Sequence, residues 1–353
     1  MNRIPEIIKA LPAYEIDAML LTGPVNRHWA TGFASSAGAL VITKGERVFI
    51  TDTRYLESAK AQIKGAEVAE IAVGKSYADA IGAILERNKV QTVGFEENVM
   101  TQGAYEGYRK KLKATLKPAE AMLDTLRCTK DETELACIQK AQDITDKTFA
   151  EILPLLTPER TEREIAAEIV YRLLKNGGER VAFNPIVVSG PRSSMPHGVP
   201  GDHKLEGFVT MDFGTVYQGY HSDMTRTVAM GAVTEEMRRV YDTVLEAQLA
   251  GIAAARPGVI GREIDSAGRD VIEAAGYGAY FGHGFGHSLG LEVHESLRAA
   301  PLEKRALPEG AVISAEPGIY LPGRFGVRIE DLLYLTGTGS KNLTRTPKEL
   351  IIL

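Results

Sequence analysis

Gly282-His283-Gly284-Phe285-Gly286-His287-Ser288-Leu289-Gly290-Leu291-Glu292-Val293-His294-Glu295 gathers three of the chain's seven histidines into twelve residues. Glycines at this density let side chains from elsewhere approach the backbone closely, so the stretch reads as the middle of an active site. Four carboxylates are candidates to meet it. Asp212 lies upstream in Thr210-Met211-Asp212-Phe213-Gly214, and Asp223 in His221-Ser222-Asp223-Met224-Thr225-Arg226-Thr227. Glu316 lies downstream in Ser314-Ala315-Glu316-Pro317-Gly318, and Glu330 in Val327-Arg328-Ile329-Glu330-Asp331. With one imidazole, these four carboxylates are the complement of a site for two divalent cations.

The rest of the composition bounds the reading. A chain of 353 residues is expected to form two domains. Its 44% hydrophobic and 25% charged residues are those of a soluble globular protein. A net charge of -5 gives no reason to invoke nucleic acid or an anionic membrane, which leaves a small partner. Residues 1–16 interleave Arg3, Glu6, Lys9 and Glu15 with apolar residues, unlike a signal peptide. No run approaches the ~20 apolar residues that span a bilayer. The only cysteines, Cys128 and Cys137, make no disulfide framework, and a cytoplasmic protein is expected.

Taken in order, the first third alternates short apolar runs with helical patterns. Ala18-Met19-Leu20-Leu21 predicts a buried strand, Ala39 to Ile42 and Arg47 to Ile50 a hairpin around Lys44-Gly45, and Val90 to Phe95 another strand. Helices are expected over Arg54–Lys64 and Tyr77–Asn88. The clusters Asn26-Arg27-His28-Trp29 and Thr51-Asp52-Thr53-Arg54-Tyr55 are candidates for function, with packing and loop anchoring the favoured reading for His28 or Trp29 taken alone. This α/β domain is expected to cover residues 1–125. The pattern breaks between Lys113 and Lys130, and a second domain, 126–353, follows.

In that second region a helix is expected from about Asp131 toward Pro154, and Thr161 with Glu164 forms a capping box for the next, which Gly177-Gly178 ends. Phe183 to Gly190 predicts a strand, and Phe208–Phe213 and Met224–Met230 two more, joined through Tyr217-Gln218-Gly219-Tyr220. Thr234 caps a helix that stops at Pro257-Gly258, a further helix covers Arg262–Ala275, and Gly276 and Gly278 lead to strands. The order helix, helix, strands thus occurs twice, and Arg163-Glu164-Ile165 in the first round is matched by Arg262-Glu263-Ile264 in the second. An internal duplication is implied, with two α+β halves facing each other across a cleft. If the turn between Asp212 and Asp223 has an even number of residues, both side chains leave the same sheet face. Two carboxylates there call for a cation between them.

These residues carry a resemblance. Residues 130–353 resemble the pita-bread metallopeptidases, the family of methionine aminopeptidase, aminopeptidase P and prolidase, and Leu126-Arg127-Cys128-Thr129-Lys130-Asp131-Glu132 is similar to the segment that enters this domain in the proline-specific members. The first third, with Thr31-Gly32-Phe33, resembles their smaller N-terminal domain. The fold implied is an α/β N-terminal domain plus a duplicated, pseudo-twofold α+β pita-bread catalytic domain.

The resemblance implies that Asp212, Asp223, His287, Glu316 and Glu330 hold two divalent metal ions, Mn²⁺ or Co²⁺, with Asp223 and Glu330 bridging. It assigns proton transfer to Glu316 and hydrogen bonding of the reacting carbonyl to His197 and His294. His283 and Tyr320 match residues on the substrate side, and Arg328 would orient a metal ligand from behind. Arg298 matches the arginine that receives a free proline carboxylate in prolidases, although Leu297 stands where the family often has proline.

The function implied is an Xaa-Pro dipeptidase, a homodimer acting on small peptides with proline second. The alternatives are an Xaa-Pro aminopeptidase acting on longer peptides, a metal-free creatinase-like hydrolase, and a non-catalytic binding module on the same fold.

Overall fold

Ala18–Leu21 is buried along its whole length, and an apolar run with no exposed face belongs in the middle of a sheet. In the computed structural model, which describes residues 2–353, it lies at the centre of six strands. It pairs antiparallel with Ala39–Thr43 and parallel with Thr92–Phe95. Arg47–Thr51 and Glu67–Glu70 extend the sheet on one side, and Thr115–Pro118 ends it on the other. Helices Thr53–Gln62 and Tyr77–Arg87 match the expected ones within two residues. Arg27 is buried and binds the carbonyls of Ser35 and Gly38, an anchoring role.

The chain divides into two compact units, the first ending at Arg127 and the second spanning Cys128–Leu353. The stretch after Lys113, expected as a break in the pattern, instead holds the edge strand Thr115–Pro118 and the helix Glu120–Cys128. Among the described residues no helix is long and apolar enough to cross a membrane.

The second unit opens with the helix Glu132–Ile152, whose N-terminus is closed by a reciprocal pair between Asp131 and Glu134. Thr161 and Glu164 do the same for Glu162–Lys175. Such caps satisfy amides that the helix leaves without partners, each contributing about 1 kcal/mol. The helices Glu235–Ala254 and Gly261–Ala274 repeat the arrangement.

The duplication extends to individual hydrogen bonds. In the first half the amides of Glu162 and Arg163 donate to the carbonyls of His203 and Gly201. In the second half those of Gly261 and Arg262 donate to Arg305 and Glu303. An antiparallel bridge accompanies each, Thr161 with Lys204 and Ile260 with Ala306.

Two expectations need correcting. The strand expected over Phe183–Gly190 is confined to Ile186–Ser189, because Pro185 precedes it and lacks the N–H a ladder needs. After Gly276 the chain makes a short 3-10 turn at Gly278–Tyr280 before the two-residue strand Gly286–His287. The glycine-rich tract is mostly loop.

Candidate active site

The site is built from both halves. From the first comes the hairpin of Gly207–Phe213 with Met224–Met230, in which Asp212 sits opposite Thr225. The same register continues through Val216 with His221 and Tyr217 with Tyr220, so the connection is the two-residue turn Gln218-Gly219. Both turn residues have positive φ, 48° and 82°, as a tight hairpin of this hand requires. The turn is even-numbered, and Asp212 and Asp223 line one cavity.

From the second half, Gly286–His287 packs against Val312–Ala315. A Cβ at Gly286 would lie 2.0 Å from the Ser314 carbonyl oxygen, so only glycine lets His287 come this close. Ser314 Oγ accepts from the His287 amide at 3.0 Å and donates to Glu316 Oε1 at 2.9 Å. Glu330 follows the strand Phe325–Arg328, and its Oε2 accepts from Thr225 Oγ1 at 2.7 Å. Arg226, buried beneath, donates to the Glu330 carbonyl and to Asp331.

The cavity has a volume of about 700 Å³, the size of a small-molecule site. One oxygen or nitrogen each of Asp223, His287 and Glu330 lie within 4.8 Å of one another. His287 Nε2 is 3.2 Å from Glu316 Oε1 and 3.7 Å from Asp223 Oδ2. Arg328 Nη2 donates to Asp212 Oδ2, Nη1 to the Tyr320 hydroxyl at 3.0 Å and Nε to Thr225 Oγ1 at 3.0 Å. The Tyr320 hydroxyl lies 2.8 Å from His283 Nε2. The His287 and His294 rings meet edge to face at 4.3 Å between centroids. His197 reaches the cavity from the loop after Ile186–Ser189, and Arg298 lines it beyond His294.

The carboxylates are electrostatically frustrated. Burial, and then the neighbouring carboxylates, push Asp223 and Glu330 well above the usual range, and burial brings Glu316 to about 7. Burial, with His294 adding to it, lowers His287 to about 3, and burial with the Arg328 charge lowers His283 to about 4. Asp212 Oδ1, Asp223 Oδ1 and Glu330 Oε1 are buried with no hydrogen-bond donor. Orphaned buried acceptors of one sign, gathered around a neutral imidazole, are what a cation corrects, and the oxygen-rich donor set suits a hard divalent ion. The residues present fit a metal.

Several contributors escaped the sequence reading. Thr225 and Ser314 fix the ligand-type carboxylates through hydroxyl bonds, and Phe183, Asn184 and Val199 line the cavity. Thr225 lies two residues after Asp223, where strand alternation returns a side chain to the same face, a signal that could have found it.

A pita-bread domain holding buried carboxylates and an imidazole on its inner faces defines a hydrolase that works with divalent metal. Residues 136–337 match metallopeptidase family M24, and residues 3–129 match the creatinase/prolidase N-terminal domain. The chain belongs to metallopeptidase family M24. It is 36% identical to an Xaa-Pro dipeptidase of Pyrococcus furiosus, with 99% of each chain covered. Among solved structures it is similar to an Xaa-Pro dipeptidase from Bacillus anthracis, with a TM-score of 0.96, 38% identity and 99% of each chain covered. It is also similar to an X-Pro aminopeptidase from Thermotoga maritima, with a TM-score of 0.93, 34% identity and both chains covered in full.

Proposed function

We propose that the chain is a metal-dependent exopeptidase that hydrolyses Xaa-Pro dipeptides, releasing the N-terminal residue and proline. The observation that carries this reading is Arg298. Its guanidinium lines the cavity, and among the described residues it has no hydrogen bond or ion pair. A cation so placed calls for an anion, and a dipeptide brings its carboxylate there, whereas a longer peptide brings an amide. The names of the relatives from Pyrococcus furiosus and Bacillus anthracis support the same reading.

Asp212, Asp223, His287, Glu316 and Glu330 would hold two divalent ions, Mn²⁺ or Co²⁺, with Asp223 and Glu330 shared. When bound, such ions supply an acidified water and a Lewis acid for the scissile carbonyl. The chain's own residues do the rest. His283 lines the cavity and would wall the place of the proline ring, and Tyr320, which does not line it, holds the imidazole from behind by their mutual hydrogen bond. The scissile bond is a tertiary amide without an N–H, so recognition falls on ring shape and on Arg298. Glu316 has Oε1 engaged by Ser314, which leaves Oε2 to take the proton of the attacking water. His197 and His294 donate to the carbonyl oxygen as negative charge develops on it, and one of them returns a proton to the proline nitrogen.

The second reading is an Xaa-Pro aminopeptidase for longer peptides, favoured by the likeness to the Thermotoga maritima structure. One experiment separates the two: metal analysis, with rates on Ala-Pro and Ala-Pro-Ala. The expected result is about two ions per chain, activity lost to a chelator and recovered with Mn²⁺ or Co²⁺, and faster cleavage of the dipeptide. Full activity in metal-free protein refutes the mechanism, and faster cleavage of the tripeptide selects the second reading. A homodimer in the cytoplasm completes the proposal, and its mass at micromolar concentration checks the assembly.

A further inference from the structure

The two halves of the second unit present matched backbone pairs to their loops, yet carboxylate and glycine have changed places between them. In the first half Glu162 opens the helix and its Oε2 accepts from the Gly201 amide at 2.9 Å. In the second half Gly261 opens the helix and faces Glu303, whose Cγ would lie 2.6 Å from a Cβ at Gly261. Both carboxylates are buried, and both grip a loop that carries a cavity histidine.

Glu162 also accepts from the Ser189 amide at 2.9 Å, so it ties both ends of the loop bearing His197. Arg192 Nε binds it at 3.1 Å. Glu303 accepts from the amides of Arg298 at 3.3 Å and Arg305 at 2.9 Å, and from Arg305 Nε at 2.9 Å. Each arginine then crosses its loop in the same register. Arg192 Nη2 donates to the carbonyl of Val199, two residues past His197, and Arg305 Nη2 donates to that of Ser296, two residues past His294.

A buried carboxylate is a poor way to fill space, because an apolar side chain does so without the desolvation cost, and the arginines that meet these two stay partly in solvent, 25% exposed at Arg192 and 52% at Arg305. The same pair placed twice, from opposite sides of its loop, to reach the same carbonyl indicates a requirement on loop geometry. We propose that Glu162 with Arg192, and Glu303 with Arg305, are positioning pairs that fix His197 and His294 for the reaction. What the histidines do rests on the function proposed above; the clamping of the loops does not.

The exchange itself supplies the test. Gly201 lies outside the left-handed region, and a Cβ there would meet only the exposed His203 ring closely, at 2.9 Å, so a side chain can be introduced. At Gly261 a Cβ would lie 2.0 Å from the Arg298 carbonyl oxygen, so the first half is the place to work. Glu162→Gly is expected to speed hydrogen exchange over residues 189–201 and to lower kcat on Ala-Pro by about 10-fold or more, with KM moving less and bound metal unchanged. Adding Gly201→Glu copies the arrangement of the second half, and should restore slow exchange and bring kcat to within about 3-fold of wild type.

Unchanged exchange and kcat in the single variant, a fall in kcat matched by loss of metal, or a double variant no better than the single overturns the proposal. If Glu162→Gly does not fold, Arg192→Met removes the bond to Val199 and leaves Glu162 its backbone donors, and unchanged exchange and kcat there overturn it equally. A wild type inactive on Ala-Pro sinks the function proposed above, and exchange still reads the clamp.

Discussion

Arg328 Nη2 donates to Asp212 Oδ2 at 2.6 Å, while Asp212 Oδ1 is buried with no donor. The arginine therefore decides which oxygen faces the cavity. Two of its other contacts, to Tyr320 and Thr225, tie the carboxylate to the residue that holds His283 and to the partner of Glu330. Arg328→Met should weaken metal binding by roughly 10- to 100-fold, as removal of a ligand-orienting partner does. Titration with Mn²⁺ measures it, and an affinity within about 2-fold of wild type counts against the role.

The two histidines that meet edge to face at 4.3 Å are expected to differ in kind. His287→Ala should lose metal. His294→Ala should keep it while kcat falls by ~10²-fold or more, through lost hydrogen bonding in the transition state. Metal analysis of both variants beside their rates checks the assignment, and the opposite pattern reverses it.

Arg298 separates short from long substrates. A charge-assisted hydrogen bond to a free carboxylate contributes on the order of 1.5–3 kcal/mol. Arg298→Ala should then lower kcat/KM for Ala-Pro by roughly 10- to 150-fold and affect Ala-Pro-Ala far less. Equal damage to both substrates would favour the aminopeptidase reading.

The first unit carries a pH dependence of its own. Glu120 is buried with Oε2 lacking a donor, and burial, followed by the charges of Glu96, Asp124 and Glu97, raises its pKa to about 7. A carboxyl raised in the folded state gives stability that is fully present below the usual pKa near 4.5 and is lost as pH rises through about 7. Glu120→Gln stays neutral throughout. It should leave the melting temperature nearly unchanged at low pH and raise it at pH near 8, by the equivalent of at most about 3 kcal/mol. Calorimetry at the two pH values checks the sign.

Where one segment's own chemistry set the structure, the sequence could be read. Thr161 and Glu164 announce a helix start because the cap lies within four residues, and Ala18–Leu21 announces a central strand because both its faces are apolar. The edge strands Glu67–Glu70 and Thr115–Pro118 were missed because they mix charge and proline with few apolar residues and are held by neighbours far along the chain. The cavity residues were legible as a set, since four carboxylates and a histidine-rich tract are rare together. Their supports were not. Strand alternation puts Thr225 on the Asp223 face, but nothing local says that Glu330 lies across from it, 105 residues on, and nothing local to Glu162 says that it closes a histidine loop onto amides 27 and 39 residues away.

The exchanged places of Glu162 and Gly201 against Gly261 and Glu303 bear on how the duplicated gene can change. Gene conversion that wrote the first half's helix start into the second would set a glutamate at 261 against Glu303, two carboxylates in one buried space beside the Arg298 carbonyl. Conversion in the other direction would set glycine at 162 against Gly201, leaving the amides of Ser189 and Gly201 without their acceptor. Either change alone damages the product, so within each half the helix start and the loop residue opposite it can be exchanged only together.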